Sequence, residues 1–243
     1  MNMALSRLAA SANLLLNPLG ISLHRNRPIR DAVSQLVVKM AELDAGTLLD
    51  VGANFGQFAQ SGRKSGFHGA IHSFEPLASV HAQLEVTAQS DAQWHVMPRM
   101  ALGRDAGTTQ INVSQNLASS SLLEVRDSST DVAPESAFSG REVIRVERLD
   151  SVADPAWKGP IALKIDTQGF EMEVLGGATV TLERVGLVLL EMSLVPLYEG
   201  GTSFCQLYQF MESHDFRCIG LTQGFADLVR HELLQVDALF IKN

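Results

Sequence analysis

A chain of 243 residues with 46% hydrophobic content can bury roughly 70–75% of its unfolded surface in one core, so a single globular domain is expected. The net charge of −8 leaves no basic stripe to neutralise phosphates, which argues against a nucleic-acid partner. Two cysteines, Cys205 and Cys218, exclude a disulfide framework and fit no metal-ligand spacing, so a reducing, cytoplasmic setting is expected.

Residues 1–27 read as an arm set apart from a domain spanning 28–243. The arm carries Arg7, His24, Arg25 and Arg27, with no acid before Asp31. Ala4, Leu5, Leu8, Ala9, Ala12, Leu15 and Leu16 form an apolar helical stripe that Asn17-Pro18 ends, too short to cross a membrane. A helix capping the domain or a second subunit is the favoured reading. The alternative is an arm lying on a membrane surface or on a lipid-linked substrate, making the protein peripheral to the membrane.

Ile29, Val33, Leu36, Val37, Met40 and Leu43 recur at helical spacing ahead of a first strand, Thr47 to Val51. A helix is expected over Phe55 to Ser65, a strand over Ala70 to Phe74, and a helix marked by Val80, Leu84 and Val86. Trp94 to Met97 reads as a third strand. The polar stretch Gly107 to Gly140 holds one alternating segment, Thr109 to Val113, with Asp127 to Gly140 read as loop. Glu142 to Leu149 alternates again. Ile161 to Ile165 and Val185 to Leu190 read as buried strands, each followed by a helix, around Val174–Leu182 and Phe204–Met211. Arg217 to Leu221 and Val236 to Ile241 suggest a closing antiparallel hairpin. Strands alternating with helices imply an α/β fold with a doubly wound, mostly parallel sheet.

The most informative stretch is Leu49-Asp50-Val51-Gly52-Ala53-Asn54-Phe55-Gly56, where a strand meets an acid and then a glycine turn. The next strand ends on Glu75-Pro76. This order builds a nucleoside site in an open parallel sheet: the turn lets backbone approach a ligand, and the second acid accepts ribose hydroxyls. A dinucleotide turn needs glycine where Asn54 stands, and Asp50 would repel a pyrophosphate. A cationic amine and sulfonium, as in S-adenosylmethionine, suit that charge better. A nicotinamide-dependent oxidoreductase and a non-catalytic nucleotide-binding module are the competing readings.

Asp50, Glu75, Asp166 and Glu191 all stand at strand ends, where open parallel sheets bind ligands. Lys164 shares a strand face with Asp166 and reads as a buried salt-bridge partner of Glu191 or Asp50. Glu171 sits in a first helical turn, where the dipole favours an acid and a substrate is also in reach. His68, His72 and His95 read as structural; His214 and His231 lie outside the motifs.

These pieces, with Ala101-Leu102-Gly103, Ser119-Ser120-Ser121-Leu122, Leu149-Asp150-Ser151, Lys164-Ile165-Asp166-Thr167-Gln168-Gly169-Phe170-Glu171 and Leu190-Glu191, resemble the FkbM family of S-adenosylmethionine-dependent methyltransferases. The resemblance runs from about Thr47 to Glu191 and implies a seven-stranded sheet. It also implies an O-methyltransferase acting on a hydroxyl of a sugar, glycolipid or secondary metabolite. In that reading Asp50, Gly52, Asn54 and Gly56 surround the methionine portion, Glu75 holds the ribose, and Met100, Ala101 and Leu102 border the adenine. Asp166 and Glu191 are the catalytic candidates, with Gln168 and Glu171 toward the substrate. A divalent metal such as magnesium would use Asp166, Gln168 and Glu191; Gln168 stands where the family often carries glutamate. Acceptor specificity is expected in Gly107–Gly140, the arm and Pro196–Ser203.

Overall fold

The structure is a computed structural model and describes residues 31–243; the arm expected over residues 1–27 and Ile29 lie outside them. In chain order come α1 (Ala32–Glu42), β1 (Thr47–Val51), α2 (Gln57–Lys64), β2 (Ala70–Phe74), α3 (Ala78–Ala88) and β3 (Trp94–Val96). Next are β4 (Ala101–Leu102), β5 (Gly107–Ser114), the short α4 (Asp127–Thr130), β6 (Phe138–Glu147) and the short α5 (Leu149–Val152). The second half holds β7 (Ile161–Ile165), α6 (Glu171–Gly176), β8 (Val185–Ser193), α7 (Phe204–Ser213), β9 (Phe216–Gln223), β10 (Ala226–Asp227), β11 (Glu232–Leu233) and β12 (Gln235–Lys242).

The main sheet has seven strands in the order β3-β2-β1-β7-β8-β12-β9. β3, β2, β1, β7 and β8 run parallel, and β12 is antiparallel to both β8 and β9, which is the expected closing pair. Strand composition explains the order. Every residue of β1 and β7 is buried, as central parallel strands covered on both faces require. Alternation sends Leu49, Val51, Leu163 and Ile165 to one core, shared with Val174 and Leu175 of α6 and Leu207 and Met211 of α7. Leu48 and Ala162 face the other core, with Leu36 and Met40 of α1 and Ala59 of α2. Asp31 caps α1 by accepting from the Ser34 amide at 3.1 Å, and Ser203 and Gln206 form a capping box on α7.

Five expectations about local structure differ from what is observed; the first is the helix expected around Val174–Leu182, which ends at Gly176 and leaves Leu182 in a separate 3-10 turn. α2 begins at Gln57, because Phe55 leaves the helix to pack in a third cluster with Leu77, Val80 and Ile144. Val86 is 65% exposed, so Val80 and Leu84 alone carry the buried stripe of α3. The alternation read as ending at Leu149 stops at Glu147, and Leu149 opens α5 inside the main core. Finally, Asp127–Gly140 is more ordered than the loop expected there, since it holds α4 and the start of β6; the expected strand Thr109–Val113 lies within β5, which pairs antiparallel with β6, and with β4 they form a separate three-stranded sheet. Among the described residues no helix is long and apolar enough to cross a membrane.

Leu163 is fully buried in the larger core. Leu163→Ala is expected to lower the unfolding free energy by about 2–5 kcal/mol in urea titration, while Val86→Ala shifts it by no more than about 0.5 kcal/mol.

Candidate functional site

From β1 the chain steps outward through β2 to β3, then returns to place β7 on the opposite side of β1. A crevice opens where the winding reverses, outside the carboxyl ends of the strands. A cavity of about 760 Å³ occupies that place. Gly52, Asn54, Glu75, Met100, Ala101, Leu102, Asp166, Gln168 and Glu191 all line it. Asp50, Gly56 and Glu171 do not.

The turn after β1 explains part of that division. Gly52 has φ +73°, and a side-chain carbon there would lie 1.8 Å from the Asp166 carbonyl oxygen. Its missing Cβ therefore lets the end of β7 close on the end of β1, joined by the Asp166 amide donating to the Val51 carbonyl at 3.2 Å. Gly56 has φ +84°, and a Cβ there would meet the Trp94 ring at 2.6 Å. The glycine reserved by sequence for a cofactor serves helix-to-strand packing instead. Between them Asn54 takes the left-handed conformation (φ +50°), which asparagine tolerates better than most residues.

Glu75 follows β2 and is 5% exposed. One carboxylate oxygen accepts from the Asn54 amide at 3.0 Å and the other from the Leu77 amide at 2.9 Å. Burial outweighs these two donors and pushes its pKa up to about 7.

Asp50 needs the larger correction. It is fully buried within β1, not at a strand tip, and pairs with Lys164 at 3.2 Å while the Ser73 hydroxyl donates to it at 3.4 Å. It reaches the cavity only through Lys164, so it is not free to receive a ligand's amine. Lys164 also donates to the Gly52 carbonyl at 2.8 Å and lies 3.7 Å from Asp166. Burial alone would lower the Lys164 pKa; the carboxylates of Asp50 and Asp166 outweigh it and raise the value. Of the two partners expected for this lysine, Asp50 is the one found.

At the end of β7, Gln168 joins the acids. Its Nε2 donates to Asp166 Oδ1 at 2.7 Å and to Glu191 Oε2 at 2.8 Å. The Tyr198 hydroxyl donates to its Oε1 at 2.6 Å, which fixes the amide's direction. Glu191 lies inside β8, which continues to Ser193, and also accepts from Gln235 Nε2 at 2.8 Å. Burial first, then the charges of Asp166, Glu171 and Asp237, hold its pKa well above the ordinary carboxylate value. The expected metal set does not fit this arrangement, because Gln168 turns amide hydrogens toward the two carboxylates where a cation would need its carbonyl oxygen. Among the described residues no group of three or more His, Cys, Asp or Glu could hold a metal ion.

Glu171 organises the loop and does not reach the cavity. It is 4% exposed and accepts from the amides of Thr167 at 2.9 Å and Gly169 at 3.1 Å. Burial pushes its pKa up to about 7. His72, read as structural, stacks on His95 and lies tilted against Trp157, and burial followed by His95 lowers its pKa to about 4.

Tyr198, Gln235 and Asp237 were missed as individual residues. Tyr198 falls in Pro196–Ser203 and lines the cavity, as do Asn116 to Leu122 from Gly107–Gly140, so two of the expected specificity segments border it. Asp237 becomes visible only through strand pairing, which sets it opposite Glu191.

A model of the methyltransferase FkbM domain matches residues 50–218, more than half of the chain. Among curated protein sequences none matches. An rRNA methylase from Streptococcus thermophilus superposes with a TM-score of 0.50 at 10% identity, covering 90% of this chain and 99% of its own. TrmK from M. capricolum, solved with S-adenosyl-homocysteine, gives 0.51 at 8% identity, covering 89% and 70%. At such identities the likeness is one of fold.

The Lys164–Asp50 pair makes the site's dependence on its foundation measurable. Asp50→Ala leaves the Lys164 charge with only part of its compensation, and chemical denaturation is expected to show a loss of about 3–5 kcal/mol.

Proposed function

Because the chain belongs to the FkbM family of S-adenosylmethionine-dependent methyltransferases, we propose that the cavity holds that cofactor beside an acceptor alcohol and that Asp166 receives the alcohol's proton. The observation that carries this is the pairing of Glu75 and Asp166. They end the two strands flanking β1 and line one continuous cavity. A volume of about 760 Å³ lies in the range of ligand sites, which fits a nucleoside cofactor together with an acceptor.

The residues suit the parts of the cofactor. Both Glu75 oxygens keep lone pairs beyond the Asn54 and Leu77 amides, enough to accept two ribose hydroxyls. Buried Met100, Ala101 and Leu102 give an apolar border for a base. A pyrophosphate fits poorly, because the Asn54 amide that would greet it is already given to Glu75. That favours methyl transfer over a nicotinamide reaction.

When bound, the cofactor supplies a methyl group on a sulfonium, and transfer breaks its C–S bond, forms an O–CH3 bond and frees the hydroxyl proton. The chain's task is alignment and proton removal. With 37% of its side chain exposed, Asp166 is open to an acceptor. Lys164 at 3.7 Å and the Gln168 amide at 2.7 Å hold its carboxylate in place. Glu191, bridged to it through Gln168, braces the same amide. The acceptor is proposed to be a small molecule or glycan carrying a hydroxyl: a sugar, glycolipid or secondary metabolite. A phosphate-rich acceptor is disfavoured, since among the described residues Asp31, Glu75, Glu135, Asp166, Glu191 and Asp237 line the cavity against one cation, Lys164.

Titration calorimetry is expected to show micromolar binding of S-adenosylhomocysteine and none of NADH; the reverse ends this reading. Glu75→Ala should weaken that binding, whereas Asp166→Ala should leave it within a few-fold and lower methyl transfer about 100-fold or more. The pH dependence has a definite sign. Below about 7 Glu75 is protonated and offers fewer acceptor sites; above it the carboxylate accepts both hydroxyls. Affinity should therefore rise with pH through that value, and Glu75→Gln should flatten the rise.

A further inference from the structure

The cofactor half of the cavity, from Gly52 to Leu102, leaves a second wall unassigned. It is built by three adjacent strands at the far side of the sheet. Asp237 of β12 stands directly opposite Glu191 of β8 and Thr222 of β9, and Gln235 lies two residues before Asp237 on the same strand face. All four residues line the cavity.

The hydrogen-bond balance of this wall is one-sided. Its donors are spent within the chain. Gln168 Nε2 serves Asp166 and Glu191, and Gln235 Nε2 serves Glu191 Oε2 at 2.8 Å. The Tyr198 hydroxyl serves Gln168 at 2.6 Å, and the Thr222 hydroxyl serves the Asp237 carbonyl at 3.4 Å. Lys164 is held by Asp50 and the Gly52 carbonyl.

Its acceptors are left over. Gln235 is only 5% exposed, yet among the described residues its Oε1 has no hydrogen-bond partner. Glu191 uses Oε2 for both amides and leaves Oε1 unpaired. The Asp237 carboxylate accepts no hydrogen bond from any described residue. These acceptors face the cavity with no donor from the described residues, so a group entering it can supply one.

We infer that Gln235, Asp237 and Glu191 form an acceptor subsite for a group that is rich in hydrogen-bond donors and carries no negative charge. Vicinal hydroxyls and a protonated amine both meet that description; a phosphate or carboxylate meets neither part. The charges agree with the geometry. Burial first, then Asp166, push the Asp237 carboxyl up to about 6; Lys164 pulls the other way, and Asp31 before α1 adds the weakest push upward. An entering donor with positive character relieves that strain, and an anion adds to it.

The subsite deepens the methyl-transfer reading and rests on it for the identity of the neighbouring ligand, so its test is kept separate. The full chain is loaded with S-adenosylhomocysteine at a pH above the Asp237 value. Saturation-transfer NMR then compares three probes that share one ring: glucose, glucosamine and glucose 6-phosphate. Glucose or glucosamine is expected to bind, and glucose 6-phosphate at least tenfold more weakly. Which of the first two is stronger separates the hydroxyl source from the amine source. Asp237→Asn should weaken the bound probe by about tenfold, as the loss of one charge-assisted hydrogen bond implies. Asp237→Lys should narrow or reverse the discrimination against glucose 6-phosphate, and Asp237→Asn carries the test where that variant does not fold. Equal binding of glucose 6-phosphate overturns the inference, as does indifference to Asp237→Asn. Absence of glucose and glucosamine binding while S-adenosylhomocysteine is held also overturns it. If S-adenosylhomocysteine itself fails to bind, the methyl-transfer reading is what has failed.

Discussion

One buried ion pair holds the two halves of the site in register. Lys164 of β7 reaches across to Asp50 of β1 at 3.2 Å and to the Gly52 carbonyl at 2.8 Å, in a place where both side chains are almost wholly removed from water. Taking two charges out of solvent costs several kcal/mol each, and their attraction offsets this only when geometry and extra hydrogen bonds are good. Here the extra bonds come from the glycine turn itself. An apolar pair of similar volume would serve stability equally well. What it could not do is tie the turn after β1 to the acid after β7, since Lys164 also stands 3.7 Å from Asp166. The pair is better understood as a positioning device than as a source of stability. The cavity inherits its shape from that tie. Gly52 admits the Asp166 carbonyl where a Cβ would sit at 1.8 Å, so the turn after β1 and the loop after β7 are packed against each other as one unit.

This explains which parts of the site were legible in sequence. Strand ends are set by periodicity and burial, which local sequence carries well, so Glu75 and Asp166 were found where the sheet presents them. The doubly wound, mostly parallel sheet followed from alternation of strands and helices, and its seven strands from the family resemblance, whereas the strand order is set by pairings that only the structure shows. Asp50, Gly56 and Glu171 were placed at the ligand because packing and binding leave the same trace. A glycine at positive φ looks identical whether it admits a ligand or the Trp94 ring. An acid in a first helical turn looks identical whether it meets a substrate or, like Glu171, the amides of its own loop.

The residues that sequence did not reveal share another property: their role depends on partners far along the chain. Tyr198 matters because its hydroxyl meets Gln168, and Gln235 because it meets Glu191. Asp237 gains its place from the antiparallel register of β12 against β8, which no periodicity specifies. The alternating stretch around Glu142 to Glu147 illustrates the limit of pattern reading from the other side. Its period was read correctly, with Ile144 and Val146 buried and Val143 exposed, yet nothing in that period said that it belongs to a second, smaller sheet.

The crowding of acids around Asp166 gives this arrangement its chemical character. Burial first, and then the charge of neighbouring carboxylates in the same low-dielectric space, raises the pKa values of Glu191, Glu171 and Asp237. Such a group binds protons, amines or hydroxyls more readily than anions. Gln168 sits at its centre with the Tyr198 hydroxyl behind it and turns both amide hydrogens inward, so two acids share one neutral donor. A glutamate at that position would add a further charge to the same space and remove the only neutral bridge between Asp166 and Glu191 seen among the described residues. With glutamine there, Asp166 has Lys164 on one side and an amide on the other, and no further carboxylate is added to the space these groups share.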